Sequence, residues 1–183
     1  MNQYKVTTLS ITVLFFIIQA LIILGLARKG QVDYIRSVLV TTGFWVIYMY
    51  LETKYRLSLS NYVRSIMLLT LVSDGFFGHY LDLYATSAVF DKILHVFGTY
   101  AFSLFAYTLV VRLLKSPVQR SFTFILVVCL GLSIGTVYEI LEFSTDCISH
   151  PEPPSQPSLI DTNLDLICDM IGAILAAIHV TKR

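Results

Sequence analysis

Charge is what this sequence most lacks. Only 14% of its 183 residues are Asp, Glu, Lys or Arg, against roughly 25% in a soluble domain. Hydrophobic residues make up 56% and mean hydropathy is +0.73, so water cannot be the solvent for most of the surface. A formal net charge of +1 gives no field able to attract nucleic acid, which drops out as a partner. Cysteine is scarce as well. Cys129, Cys147 and Cys168 are odd in number and form no CxxC pair, which excludes a disulfide framework or a zinc ribbon and leaves them as packing residues. Proline is nearly confined to one place: Pro151, Pro153, Pro154 and Pro157 share a single linker, where they forbid a helix. No Gly-x-Ser-x-Gly elbow, His-Glu-x-x-His helix or phosphate-binding glycine loop occurs, so serine hydrolase, zincin and P-loop chemistry are set aside.

What the sequence has instead is long apolar runs. About 20 apolar residues cover the hydrocarbon core of a bilayer, and six runs qualify, at 9–27, 37–51, 65–84, 89–114, 122–145 and 161–180. The first is too long for a signal-peptide core and is followed by Arg28 and Lys29. The prediction is an all-α, integral membrane bundle of six transmembrane helices, one domain over 1–183, with its chemistry-bearing half at about 66–180. Lys5, Lys54, Arg56, Arg64, Arg112, Lys115, Arg120, Lys182 and Arg183 fall on the side of the termini, against Arg28, Lys29, Arg36 and Lys92 on the other. The positive-inside rule then puts both termini in the cytoplasm. Phe44, Trp45, Tyr48 and Tyr50 read as lipid-facing or interfacial aromatics.

On that topology Asp74, Asp82, Asp91, Glu139, Glu142, Asp146, Glu152, Asp161, Asp165 and Asp169 all fall in the outer halves of the last four helices or in the linker between the last two. Helical phase groups them, because positions i, i+3, i+4 and i+7 share a face. Gly131, Gly135, Glu139, Glu142 and Asp146 form one stripe. Asp161, Asp165, Asp169, Gly172 and Ala176 form a second, and Asp91, His95 and Gly98 a third. Small residues below the acids let helices approach closely. The pattern predicts an acidic cup open to the outer face and closed beneath by packed glycine.

A carboxylate at the centre of a membrane helix costs about 2.5–3.5 kcal/mol, and Asp169 lies about 12 Å below Asp161 at about 1.5 Å per residue. Lys92, His95 and His79 are too few to compensate the acids, so either protons or a cation must. Many carboxylates with one or two imidazoles suit a hard divalent metal, Mg²⁺ or Mn²⁺ in preference to Zn²⁺. The metal ligands proposed are Glu139, Glu142, Asp165, Asp169, Asp161 and Asp74. His95 is the candidate proton carrier, oriented by Asp91 one turn away, with Lys92 available to an anionic headgroup.

The Asp91-Lys92-x-x-His95 run resembles the signature of the VanZ-like membrane proteins. Tyr138-Glu139-x-x-Glu142 followed by Asp161-Thr162-x-x-Asp165 is similar to the acidic halves of that family and of related bacterial inner-membrane proteins of unknown function. The resemblance covers about 90–177 and implies a multi-pass protein of the bacterial cytoplasmic membrane, concerned with the cell envelope; VanZ-like proteins are associated with low-level teicoplanin resistance. Three readings stay open at this point: a metal-dependent hydrolase or transferase acting on a membrane lipid or lipid-linked substrate, a cation or proton transporter, and a non-catalytic lipid-binding protein.

Overall fold

The apolar runs become helices, with no strand among the described residues. The structure is a computed structural model describing residues 3–114, 118–151 and 154–182. Lys115, Glu152, Pro153 and Arg183 lie outside the described residues. The chain falls into two units, Met1–Thr86 and Ser87–Arg183.

The first unit contains α1 (Gln3–Arg28), α2 (Val32–Lys54), α3 (Asn61–Ser73), a π-helical segment Asp74–Tyr80 and the short α4 (Leu83–Thr86). The chain reverses between α1 and α2 at Gly30, whose φ of +71° is the left-handed conformation that glycine adopts without penalty. Ile22, Leu26 and Val38 pack together in the core. Ser60 caps α3 by accepting from the Val63 N–H at 3.2 Å, which satisfies one of the donors a helix start leaves free.

Three sequence-based expectations change here. The second span, 37–51, extends to Val32–Lys54, because charged residues at both ends are carried on the same continuous helix. Trp45 and Tyr48 are buried while Phe44 and Tyr50 are exposed. Trp45 packs edge-on against Phe15, at 6.3 Å between ring centres, under the guanidinium of Arg64 at 5.6 Å. Arg64 is itself buried and donates to Glu52 Oε1 at 2.6 Å, so this basic residue is internal.

The third expected span, 65–84, is divided. Its α-helix ends at Ser73 and continues as one π-helical stretch, closed by the Leu81 N–H donating to Phe76 O at 2.9 Å. Tyr84 then folds back over Gly78, where any side chain would overlap its ring, and its hydroxyl donates to Asp74 at 2.7 Å. Among the described residues five helices, α1, α2 and the three of the second unit, are long and apolar enough to cross a membrane.

The second unit is a three-helix bundle of α5 (Phe90–Val110), α6 (Arg120–Ser149) and α7 (Leu159–Thr181). At about 1.5 Å per residue the 30 residues of α6 reach about 45 Å, longer than the roughly 30 Å hydrocarbon core. The stripes of small residues set the packing. A methyl group on Gly131 would overlap Ser103 Oγ and Ala173, one on Gly135 would overlap the Asp169 carboxylate, and one on Gly172 would strike the Val96 carbonyl. The cysteines do not pack as expected: Cys129 and Cys147 are exposed and Cys168 is half-buried.

Candidate metal centre

All three helices of the second unit bring their polar residues to one end: the first turns of α5, the last turns of α6 and the first half of α7. His95 stands in the middle. Its Nδ1 is 3.1 Å from Asp169 Oδ1, an oxygen that also accepts from the Thr99 hydroxyl. An ionised carboxylate only accepts, so toward an ionised Asp169 it is Nδ1 that donates. Nε2 faces three carboxylate oxygens, Asp165 Oδ1 at 3.6 Å, Asp91 Oδ1 at 3.7 Å and Glu139 Oε1 at 3.8 Å. These separations exceed hydrogen-bond length.

Burial makes the arrangement costly. Glu139 is 4% exposed, and Asp165 and Asp169 are each 1% exposed. Glu139 Oε1 and Asp169 Oδ2 accept no hydrogen bond. Orphaned buried carboxylate oxygens forfeit their hydration without return. In each of two groups, Asp91–His95–Asp165 and His95–Glu139–Asp169, the ligand atoms lie within 4.8 Å of one another.

Lys92 stands beside this cluster. Its ammonium donates to Asp161 Oδ1 at 2.5 Å, Asp165 Oδ2 at 2.8 Å and Asp91 Oδ2 at 2.9 Å. It also lies 2.8 Å from Asp165 Oδ1, so both oxygens of that carboxylate are paired with the ammonium. All three donors of the ammonium are thus engaged by acids.

The other residues singled out in the sequence have different places. Glu142 is half-buried one turn beyond Glu139 and belongs to neither ligand group. Asp161 joins the site through Lys92. Asp74 belongs to the first unit, where its partners are the Tyr84 hydroxyl and His79 at 3.6 Å. His95 takes its orientation from Asp169, and Asp91 faces the opposite ring nitrogen. His179, at the far end of α7, is 2.6 Å from the Tyr100 hydroxyl.

Two neighbours of the site carry no periodic signal. Gln156, from the proline-bearing linker, donates through Nε2 to Glu139 Oε2 at 2.7 Å and to the Glu139 carbonyl at 2.8 Å. The linker is fastened there because the Ser155 and Gln156 N–H groups both donate to the Asp146 carboxylate, at 2.9 and 2.8 Å. Tyr138 sets its ring edge-on to His95, 5.7 Å between centres.

Several apolar helices that expose Leu, Ile and Val along their lengths, with ionisable groups gathered inward, define a helical membrane protein. Residues 9–183 match the family described as predicted membrane protein (DUF2238), and the chain belongs to that family. An uncharacterized protein of Thermotoga maritima is 30% identical over 192 residues, covering 100% of this chain and 90% of that protein. No solved structure matches.

Proposed function

We propose that the protein is a divalent-cation-dependent hydrolase or transferase of the bacterial cytoplasmic membrane, acting on a lipid or lipid-linked envelope substrate. The observation that carries the reading is the pair of buried carboxylate oxygens without hydrogen bonds, on Glu139 and Asp169, gathered with Asp165 and Asp91 about His95. Asp91, Glu139, Asp161, Asp165 and Asp169 contribute five formal negative charges, and Lys92 returns one. A hard divalent cation, Mg²⁺ or Mn²⁺, fits an oxygen-rich set with one imidazole. Such an ion would polarise a phosphoryl or carbonyl oxygen and neutralise the charge that develops on it.

The chain's own residues do the rest. Asp169 and Thr99 hold His95 in one tautomer, so that Nε2 can take up a proton or complete the ligand set. Gln156 holds one oxygen of Glu139 and leaves the other directed inward. A groove between α5 and α7, lined by Ile93, Val96, Phe97 and Leu175, begins at Lys92, and its apolar walls suit an acyl chain. The likeness to VanZ-like proteins adds the cell envelope as the setting. The same reading has the third apolar stretch cross the bilayer, making six spans with both termini cytoplasmic and the cup facing outward.

Mn²⁺ titration of the purified protein in detergent tests the metal. Wild type should bind, and Glu139→Gln and Asp165→Asn should each lose binding. Turnover of envelope lipid extract should appear with Mn²⁺ and vanish on chelation. A wild-type protein that binds none of Mg²⁺, Mn²⁺, Ca²⁺ and Zn²⁺ would sink the proposal.

A further inference from the structure

We propose that the Lys92 ammonium is a built-in cation holding the second cation position of the centre, so that the protein takes one divalent ion per chain. This rests on the reading of the cup as a divalent-cation site. A carboxylate has two oxygens and can hold a cation on each; Asp91 is placed to do that, while Asp165 presents both oxygens to Lys92 Nζ, each at 2.8 Å, and shares its Oδ1 with the histidine side. On one side, Asp91 Oδ2 and Asp165 Oδ2 accept from Lys92 Nζ at 2.9 and 2.8 Å. On the other, Asp91 Oδ1 and Asp165 Oδ1 face His95 Nε2 at 3.7 and 3.6 Å.

Each position is then closed by acids of its own. Asp161 completes the ammonium side, at 2.5 Å from Nζ. Glu139 and Asp169 complete the histidine side, where Glu139 Oε1 and Asp169 Oδ2 are buried without hydrogen bonds. The two positions differ in what meets their oxygens. On the ammonium side Asp91 Oδ2, Asp161 Oδ1 and Asp165 Oδ2 each accept from Lys92, whereas on the histidine side those two buried oxygens accept nothing. An ammonium offers three donors and a single charge, and at this position every donor reaches a carboxylate. The juxtaposition is that of a centre with two cation positions bridged by Asp91 and sharing Asp165 Oδ1, one of them filled by the chain itself.

Removing the ammonium while keeping the acids should free that position for a second metal. Elemental analysis and electron paramagnetic resonance of Mn²⁺-saturated, detergent-purified protein provide the test. Wild type should hold one Mn²⁺ per chain, with the resolved hyperfine pattern of an isolated ion. Lys92→Met should hold two, with the hyperfine pattern broadened by coupling between neighbouring ions, and Lys92→Arg, which retains the charge, should hold one. Asp161→Asn touches only the ammonium side and should keep the wild-type ion.

Two Mn²⁺ per chain in the wild type would overturn the inference, as would a single uncoupled ion in folded Lys92→Met or loss of the ion in Asp161→Asn. The wild-type count and the Asp161 variant decide the matter even if Lys92→Met fails to fold. No Mn²⁺ in the wild type is a different result, and it overturns the metal reading beneath this one.

Discussion

Gln156 is the residue whose role is most exposed to test, because it touches the candidate metal centre only through Glu139. Residues that orient a metal ligand typically cost 10–100-fold in metal affinity when removed, and Gln156→Ala should weaken Mn²⁺ binding by about that factor. Isothermal titration measures it, and an unchanged affinity would show that Glu139 is held by its own helix alone. Asp91, Glu139, Asp165, Asp169 and His95 were legible in the sequence because each lies on a helix, where phase fixes direction and an acid facing lipid would be too costly. Gln156 was not, since a linker has no period and only the return of the chain onto Asp146 brings it to the site. Trp45 and Arg64 misled for the opposite reason: an aromatic and a cation near a helix end have the composition of an interface, but here they pack on one another inside the first unit.

At the scale of elements, apolar length located the helices, while closeness of approach determined how they pack. Gly172 lies where α7 meets the Val96 carbonyl of α5, whereas nothing lies within 4 Å of a methyl group placed on Gly43 of α2. The two glycines therefore predict opposite effects of the same change. Gly172→Ala forces side chain against backbone and should cost about 1–3 kcal/mol. Gly43→Ala should be neutral or stabilise by up to about 1 kcal/mol, through the loss of unfolded-chain freedom. Thermal unfolding of both variants in the same detergent compares them directly, and equal melting temperatures would refute the close packing of α5 and α7. The small-and-acidic stripes announced this contact. The π-helical segment Asp74–Tyr80 went unannounced, because a hydropathy run records how long a helix is and carries no mark of its hydrogen-bond spacing. The ring of Tyr84 that requires Gly78 there comes from a later turn of chain.

At the scale of the whole molecule, given an N-terminus in the cytoplasm, the third apolar stretch decides which side of the membrane the cup faces. If α3 and its π-helical continuation cross, α5 begins outside, the number of spans is even, and the acids of α5, α6 and α7 open to the outer face. If they do not cross, only the five long helices span, the termini lie on opposite sides, and the same acids open to the cytoplasm. Charge in the second unit favours the first arrangement: Arg112, Arg120 and Lys182 lie at the end of the bundle opposite the acids, and basic residues gather on the cytoplasmic side. Buried Arg64 adds nothing as an exposed charge, since Glu52 neutralises it. Cys147, exposed in the last turn of α6 beside the linker, is a natural reporter once Cys129 and Cys168 are changed to Ser. A membrane-impermeant maleimide applied to intact spheroplasts should label it, while a cysteine added at the C-terminus should react only after lysis. Protection of Cys147 until lysis would place the cup in the cytoplasm, and an outer-leaflet substrate would then be excluded by geometry.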